Sequence, residues 1–299
     1  MTQNALMIEM TDVMARFISM AGKRLPDDVL QKLAEMRDEE DQEMAKEIYR
    51  SMFENLEKAI ELDRPICQDT GVINFFVKVG SNYPYQLQLK KILEDAVKKA
   101  TLDAPLRPNA VSIFDEENTG DNTGERTPFL HWDIADDSDE VEIHLYMTGG
   151  GSSMPGRATT LMPSAGYEGV AEFVYDAMVE KGINACPPLI VGVGIAGSME
   201  NAALLSKKAI LRPIGSQNQN PKAAEMEKAM EAGINRIGFG PQGISGKTSV
   251  MGVHLETAAR HPATIATAVS VGCWVHRKGT IRFKKDGSYE ILSHKGVSL

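Results

Sequence analysis

Apolar residues recur at helical spacing along the first part of the chain. Met10, Met14 and Phe17 lie three or four positions apart, and a longer amphipathic pattern covers 43–62. Apolar residues at this spacing line one face of a helix, which then packs against a core. We therefore predict that residues 1–63 are mainly helical.

Further along, helical periodicity gives way in places to the patterns of β-strands. Residues 72–79 are a mostly apolar run, and Val141, Ile143 and Leu145 alternate with polar residues, which is typical of strands. The same patterns predict helices at 86–100, 166–181, 199–208 and 220–232, strands at 189–193 and 264–271, and a hairpin around Lys285-Asp286-Gly287. The predicted fold class is therefore α/β (mixed α+β), with the helical N-terminal region and the mixed helix and strand region in one domain, 1–299.

Composition and charge narrow the range of functions. Of the 299 residues, 42% are hydrophobic and 24% are charged, which is typical of a soluble globular protein. The 32 basic and 41 acidic residues give a net charge of −9, which argues against nucleic-acid binding, because that needs a concentrated basic surface. No apolar run is long enough to span a membrane, and Glu9 and Asp12 give the N-terminus acids in place of the basic start of a signal peptide. We therefore expect a cytoplasmic protein.

Each of the three cysteines lies in a short segment rich in proline, glycine or polar residues, beside a predicted helix or strand. Cys67 lies in RPICQDTG, Cys186 in NACPP and Cys273 in VGCW. An odd number of widely spaced cysteines is a poor disulfide framework. Inert cysteines usually lie inside apolar runs, so these loop positions favour a metal site, with three buried inert thiols as the alternative.

Three thiolates are compatible with two kinds of metal site. One is a Cys₃His zinc site that includes one of the six histidines. The other is a [4Fe–4S] cluster, which normally takes four thiolates. With only three cysteines, one iron stays open and can act as a Lewis acid on a substrate oxygen. The residues alone leave these alternatives open.

A glycine-rich segment at 192–197, GVGIAG, matches the G-x-G-x-x-G pattern of dinucleotide-binding turns. It follows a predicted strand and precedes a predicted helix. An acidic residue is expected about 20 positions further on, but residues 211–217 read LRPIGSQ. A tight strand-to-helix turn is the simpler interpretation, and a nucleotide-dependent oxidoreductase that uses Gly192–Gly197 is the lower-ranked one.

Six motifs resemble, in this order along the chain, those of α subunits of the class I fumarase/L-tartrate dehydratase family: ICQDTG, NTGDNTG, GGGSSMPGR, ACPPLIVGVGIAGS, GPQGISGKTSVMGVHLETAARHPA and GCWVHRKGT. The resemblance runs from about residue 5 to the C-terminus, and ICQDTG together with ACPP is highly specific. GGGSSMPGR and GCWVHRKGT look closer to tartrate dehydratases than to fumarases. The resemblance implies a hydro-lyase that converts L(+)-tartrate to oxaloacetate, with fumarate hydration to malate as the alternative.

The same resemblance implies a cofactor, a partner and a set of site residues. The cofactor is a [4Fe–4S] cluster with one open iron. The partner is a separate β subunit, in an α2β2 assembly, which supplies the second substrate-binding domain that single-chain members carry after this region. The implied residues are, for the cluster, Cys67, Cys186 and Cys273; for substrate binding, Gln68, Arg107 and Gly150; and for catalysis, Asp69 and His261.

Each of the non-cysteine residues has a physical role that suits a dicarboxylate, and a structural alternative. Arg107 can hold a carboxylate through two parallel hydrogen bonds, or it is a surface arginine. Gly150 lets backbone N–H groups approach an oxygen, or it forms a flexible turn. Asp69 is a candidate acid or base, or a turn residue. His261 can donate to a substrate oxygen, although a lone histidine is more often structural.

Overall fold

Two compact units make up the chain, which a computed structural model describes for residues 3–299. Each unit combines segments that are far apart in the sequence. Unit 1 comprises Met1–Asp27, Glu54–Gly149 and Arg277–Leu299, and unit 2 comprises Asp28–Phe53 and Gly150–His276. The assignment of residues 1–299 to one domain stays a prediction.

Helices and strands are mixed along the chain, which confirms the predicted α/β class. None of the described helices is both long and apolar enough to cross a membrane. The helices are α1 (Gln3–Lys23), α2 (Asp27–Glu39), α3 (Glu43–Glu61), α4 (Leu89–Asp103), α5 (Gly150–Ser153), α6 (Gly166–Lys181), α7 (Met199–Leu211) and α8 (Pro221–Asn235). The strands are β1 (Val72–Gly80), β2 (Phe129–Ala135), β3 (Val141–Thr148), β4 (Arg157–Leu161), β5 (Leu189–Ala196), β6 (Val250–Thr257), β7 (Ile265–Gly272), β8 (Lys278–Phe283) and β9 (Tyr289–Ile291).

Unit 1 is built on a five-stranded sheet with strand order β2-β1-β3-β8-β9, in which β1 and β2 are parallel and the other pairs are antiparallel. Helices α1 and α4 pack together and share one apolar core with the sheet. Phe17, Phe75, Leu93 and Phe283 are fully buried in it, and burial of each such side chain contributes roughly 2 kcal/mol. This core holds the ends of β1 and β3 in place.

Unit 2 is built on a four-stranded sheet with strand order β4-β7-β5-β6. Every residue of β5 and of β7 is buried, as in a sheet with helices on both faces. Val191 and Val193 of β5 pack in one core with α6 and α8. Gly192 and Gly194, which alternate with them, face α7. Because successive strand residues point to opposite faces, the sheet lies between α7 and the pair α6 and α8.

Most of the predicted elements are confirmed, with shifts at their ends. The helix predicted at 166–181 is α6, whereas the helix predicted at 86–100 begins and ends three residues later, as α4. The strand predicted at 189–193 continues to Ala196 as β5. The patterns did not predict β2, β4 or β6.

Candidate active site

Cys67, Gln68 and Asp69 lie in the loop between α3 and β1 in unit 1. The start of the loop is fixed by Ile66, whose N–H donates to the Gly22 carbonyl oxygen at 3.0 Å and whose carbonyl accepts from Asn55 Nδ2 at 2.9 Å. Gln68 is exposed, and Cys67 and Asp69 are half-buried. The loop therefore presents three candidate side chains from an anchored backbone.

The same loop ends at Gly71, where the backbone needs a glycine. Gly71 has φ +76°, and a Cβ atom there would overlap the carbonyl group of Thr148 at the end of β3. Its N–H donates to Asp69 Oδ1 at 2.8 Å. The turn that only glycine permits therefore also holds the candidate acid or base.

Arg107 lies after α4, at the start of a long connection to β2. Its side chain is exposed, and its guanidinium makes no hydrogen bond or ion pair in residues 3–299. Its carbonyl oxygen accepts from Asn122 Nδ2 at 3.2 Å. Two residues later, the side chain of Asn109 donates to Asp69 Oδ1. Unit 1 thus brings the backbone of Arg107 close to Asp69 through two asparagines.

Sequence reasoning missed Asn109 and Asn122 as candidate site residues. Asn122 stands in the motif NTGDNTG and Asn109 is two residues from Arg107, but the patterns gave no role to either side chain. The useful signal was asparagine itself, since its amide both donates and accepts hydrogen bonds and so can join two loops.

Cys186 and Cys273 lie at the same end of the sheet in unit 2. Cys186 lies three residues before the start of β5, and Cys273 follows β7 directly. These strands are antiparallel, and Ile190 of β5 is opposite Gly272 of β7. The Trp274 N–H donates to the Cys186 carbonyl oxygen at 3.1 Å. The two cysteine segments are therefore tied to each other.

The backbone of Cys186 is in the left-handed region, with φ 53° and ψ 68°. A non-glycine residue in this conformation costs about 1–2 kcal/mol. Cys186 is exposed and Cys273 is half-buried, and none of the three cysteines is in a disulfide. Such strain is common at functional sites, so the position of Cys186 agrees with a ligand role.

Gly150 is the first residue of the short helix α5 and is exposed. Helix α5 packs against β7 and against residues 182–185, just before Cys186. A Cβ atom at Gly151 would lie 3.2 Å from the Asn184 carbonyl oxygen. Within unit 2, Gly150 therefore lies on the same side as Cys186 and Cys273.

His261 lies at the other end of these strands. It is exposed in the loop between β6 and β7, and its Nδ1 accepts from the Ala263 N–H at 3.1 Å. The backbone nitrogen of His261 would lie 3.9 Å from a Cβ atom at Gly197, just past the end of β5. Since β7 has eight residues, about 23 Å of strand separates this loop from Cys273. The structure does not bring His261 to Cys273 within one chain.

The candidate metal ligands in this structure are the thiol groups of the three cysteines. In residues 3–299, no group of three or more His, Cys, Asp or Glu side chains lies close enough to hold a metal ion. Thiolates are nevertheless the ligands of iron–sulfur clusters, and the structure fixes Cys186 and Cys273 at one sheet end. The donor set therefore fits a cluster by its chemistry, while the assembly of all three ligands stays a prediction.

The first two glycines of the G-x-G-x-x-G segment serve close packing. Gly192 and Gly194 are buried inside β5 rather than in a turn. A Cβ atom at Gly194 would overlap the Ala202 carbonyl oxygen of α7 and lie 2.7 Å from the Ser206 nitrogen. The strand and α7 can approach this closely only without side chains at these positions. The segment continues from the strand through Gly197 and Ser198 into α7, so the tight strand-to-helix turn is confirmed, and the geometry does not favour the nucleotide-binding alternative.

Comparisons with known proteins cover almost the whole chain. The fumarate hydratase (Fumerase) family model matches residues 11–282. The L(+)-tartrate dehydratase subunit alpha of Escherichia coli (strain K12) is 57% identical over 291 residues, which are 97% of this chain and 96% of that protein, and its counterpart in Shigella sonnei (strain Ss046) gives the same values. A putative L(+)-tartrate dehydratase subunit alpha of Methanocaldococcus jannaschii is 35% identical over 283 residues, 93% of this chain and 99% of that protein.

Proposed function

This chain belongs to the fumarate hydratase (Fumerase) family, and on that basis we propose that it is the α subunit of an L(+)-tartrate dehydratase. The observation that carries the proposal is the 57% identity, over nearly the full length of both chains, to proteins named as that subunit. The name of those proteins also implies a second subunit. We therefore propose that this chain works with a separate β subunit, in an α2β2 assembly.

The proposed reaction is the dehydration of a four-carbon hydroxy diacid. The hydroxyl leaves one carbon and a proton leaves its neighbour, so one water is released. With tartrate, the product is an enol that becomes oxaloacetate by tautomerisation. With malate, the product is fumarate, and hydration of fumarate is the alternative function.

The proposed cofactor is a [4Fe–4S] cluster held by Cys67, Cys186 and Cys273. When bound, its open iron supplies a Lewis acid for a substrate oxygen. Support comes from the thiol donor set and from the tie between the Cys186 and Cys273 segments. A Cys₃His zinc site stays an alternative, and metal analysis separates the two.

The other residues bind the diacid and handle its proton. Arg107 grips one carboxylate through its planar guanidinium, and Gln68 donates to the substrate from its exposed position beside Cys67. Gly150 lets the substrate approach the backbone, because no side chain intervenes. Asp69 holds or moves a proton at its carboxylate. His261 is too far from Cys273 to join it in one chain, so its proposed contact requires His261 of a second α chain.

The test is an anaerobic assay of the α chain alone and copurified with a β subunit of the family. Tartrate, malate and fumarate are supplied in turn, and iron, sulfide and zinc are measured per chain. We expect negligible turnover by α alone and tartrate dehydration by the αβ complex, with about four iron per α chain.

Three results would contradict the proposal. Full turnover by the α chain alone would rule out the two-subunit site. A higher kcat/KM for fumarate or malate than for tartrate would favour the fumarase alternative. An active, colourless protein with one zinc per chain would replace the cluster by the zinc site.

A further inference from the structure

Two asparagines connect the candidate acid or base to the backbone of the candidate carboxylate-binding arginine. Asn109 Nδ2 donates to Asp69 Oδ1, across forty residues of sequence. The backbone N–H of Asn109 donates to Asn122 Oδ1 at 2.7 Å, and Asn122 Nδ2 donates to the Arg107 carbonyl oxygen at 3.2 Å. A continuous chain of hydrogen bonds therefore runs from Asp69 to Arg107.

Asn122 is the buried residue that anchors this chain of hydrogen bonds. It is 2% exposed, and its backbone has φ 61°, a region that asparagine tolerates better than most residues. Its Nδ2 also donates to Thr101 Oγ1 at 3.1 Å, and Thr101 is buried in α4. All hydrogen-bonding atoms of the Asn122 amide group thus have partners inside unit 1, one of them on a rigid helix.

At the other end, the hydrogen bonds determine how the Asp69 carboxylate is turned. Asn109 Nδ2 and the Gly71 N–H both donate to the same oxygen, Oδ1. Two donors on one oxygen restrict rotation of the carboxylate, so the direction of Oδ2 is fixed as well. An acid or base is effective only when its oxygen is aimed at the proton that it transfers.

We propose that Asn109 and Asn122 are positioning residues, which hold Asp69 and Arg107 in one geometry for the dehydration of the diacid. Neither asparagine is proposed to touch the substrate. Asn109 sets the direction of the Asp69 carboxylate, and Asn122 fixes the backbone from Arg107 to Asn109. The inference rests on the proposed function for its catalytic meaning.

Asparagine is suited to this position for a chemical reason. Its amide group donates through Nδ2 and accepts through Oδ1 from one planar end, so Asn122 can serve both Asn109 and Arg107. At 109, an aspartate of nearly the same shape would place a second carboxylate against Asp69 and would remove the donor. Asn109→Asp is therefore expected to harm catalysis more than Asn109→Ala, which only removes the contact.

The experiment compares variants of the αβ holoenzyme. In Asn109→Ala, kcat should fall about tenfold or more while KM changes by less than about threefold, because the proton-transfer group is misdirected but carboxylate binding persists. In Asn122→Gly, which accepts the positive φ, kcat should fall and KM should rise. Iron per chain and the midpoint of unfolding should match the wild type in Asn109→Ala.

Asn118→Ala is the matched control. Asn118 is an exposed asparagine of the same connection, and it bonds the Pro108 carbonyl oxygen at 2.8 Å and the Gly120 N–H at 2.8 Å but not Asp69. Its removal should leave kcat and KM within about twofold of the wild type. Unchanged kcat in Asn109→Ala, or equal losses in Asn109→Ala and Asn118→Ala, would overturn the positioning role.

A second measurement keeps the inference separate from the proposed function. Amide hydrogen exchange of the α chain should show faster exchange at Asn109 in Asn122→Gly, and also at Gly71, about fifty positions away, by roughly tenfold. Asn118→Ala should change neither. If the wild type dehydrates no diacid, the proposed function fails, while coupled exchange still supports the hydrogen-bond chain. An exchange rate at Gly71 that is the same in Asn122→Gly and in the wild type would refute the proposed chain of hydrogen bonds.

Discussion

At the scale of single residues, Arg107 combines an exposed guanidinium with a backbone that is held by a hydrogen bond. Its guanidinium is exposed and unpaired in the described part of the chain, whereas its carbonyl oxygen is held by Asn122. The arrangement suits a residue that swings onto a carboxylate from a defined position.

Replacement of Arg107 by lysine tests whether a planar guanidinium group is needed to bind the substrate carboxylate. Lysine keeps the charge but cannot form two parallel hydrogen bonds to a carboxylate, so Arg107→Lys should lower kcat/KM for tartrate by about tenfold or more, which is roughly 1.4 kcal/mol. Steady-state kinetics of the αβ complex measure this change. Arg126→Lys, at an exposed arginine of the same connection, is the control and should be neutral. Wild-type kinetics in Arg107→Ala would make Arg107 a surface charge only.

What the sequence predicts at this scale is residue type rather than geometry. The motifs identified Cys67 and Asp69 with neighbours that suit a site, and unit 1 places both in an anchored loop. The link from Asp69 to Asn109 was not predictable, because it depends on two loops meeting across forty residues. The separation of His261 from Cys273 was implied by the strand predicted at 264–271, which is β7 in the structure, although the resemblance assigned both residues to one site.

At the scale of elements, β5 and α7 pack closely, backbone against backbone, in unit 2. Gly192 and Gly194 let the helix backbone approach the strand, since a Cβ atom at either would overlap a carbonyl oxygen of α7. On the strand side, Gly192 is paired with Ser270 of β7 and Gly194 with Ala268. The packing of the strand that leads to the Cys186 and Cys273 end of the sheet therefore depends on the absence of side chains at Gly192 and Gly194.

Gly194→Ala should destabilise the protein by about 2 kcal/mol or more. The new methyl group meets backbone atoms of Ala202 and Ser206, which cannot move aside as a flexible side chain would, and overpacking of this kind typically costs about 1–3 kcal/mol. Urea unfolding of the anaerobic α chain measures the loss. Gly252→Ala is the control, because in neighbouring β6 the added atom would lie 3.6 Å from Ile190 Cδ1. Equal stability of the two variants would contradict the packing role.

Helix α8 carries a carboxyl group whose titration should affect stability. Glu231 lines a cavity of about 480 Å³, and burial raises its pKa above the usual 4.5, with Lys32 lowering it and Glu227 raising it further. The folded state thus binds the proton more tightly than the unfolded state, so this contribution to stability is complete below pH 4.5 and is lost as pH rises through the folded pKa.

Glu231→Gln should therefore be more stable than the wild type at neutral pH, because glutamine does not ionise. The difference should shrink as the pH falls towards 4.5. Urea unfolding at a series of pH values measures it. Glu225→Gln, at an exposed position of the same helix, should change stability by less than about 0.5 kcal/mol at any pH. A Glu231→Gln variant that is less stable at pH 7 would contradict the assigned sign.

Elements were predictable where their own pattern was clear. Helix α6 matched its prediction at both ends, and its buried residues Val170, Val174, Ala177 and Met178 recur at helical spacing. Strand β2 was missed because it is the edge strand of its sheet and leaves Trp132 and Ile134 exposed, so burial does not impose a regular alternation. Strand β6 was missed for the opposite reason, since its first six residues are all buried and show no period.

At the scale of the whole molecule, the two units are not contiguous in sequence, and no local pattern signals this. Unit 1 takes its last strands from Arg277–Leu299, and unit 2 takes Asp28–Phe53 from within the helical N-terminal region. The predicted change from helices to strands after residue 63 coincides with none of the boundaries between the units. Pairing of β8 with β3 joins residues more than one hundred positions apart, and such pairing follows from the complete fold alone.

The position of His261 leads to a prediction about the assembly. Within unit 2, the strands β5 and β7 separate His261 from Cys186 and Cys273 by about 23 Å, and a four-carbon diacid is much shorter than that. If His261 contacts substrate, it must reach a substrate that is bound at the cysteines of another α chain. In a symmetric dimer, such an exchange occurs twice and completes both sites.

Mixed assemblies test this exchange. His261→Ala and Cys273→Ser α chains, each inactive alone with β, are coexpressed with it. In every mixed dimer, one site then combines an intact cluster ligand set from the first chain with an intact His261 from the second. Random pairing should give about one quarter of the wild-type activity. Activity no greater than that of the separate variants would show that His261 does not act across chains, and full activity of His261→Ala alone would remove it from the site.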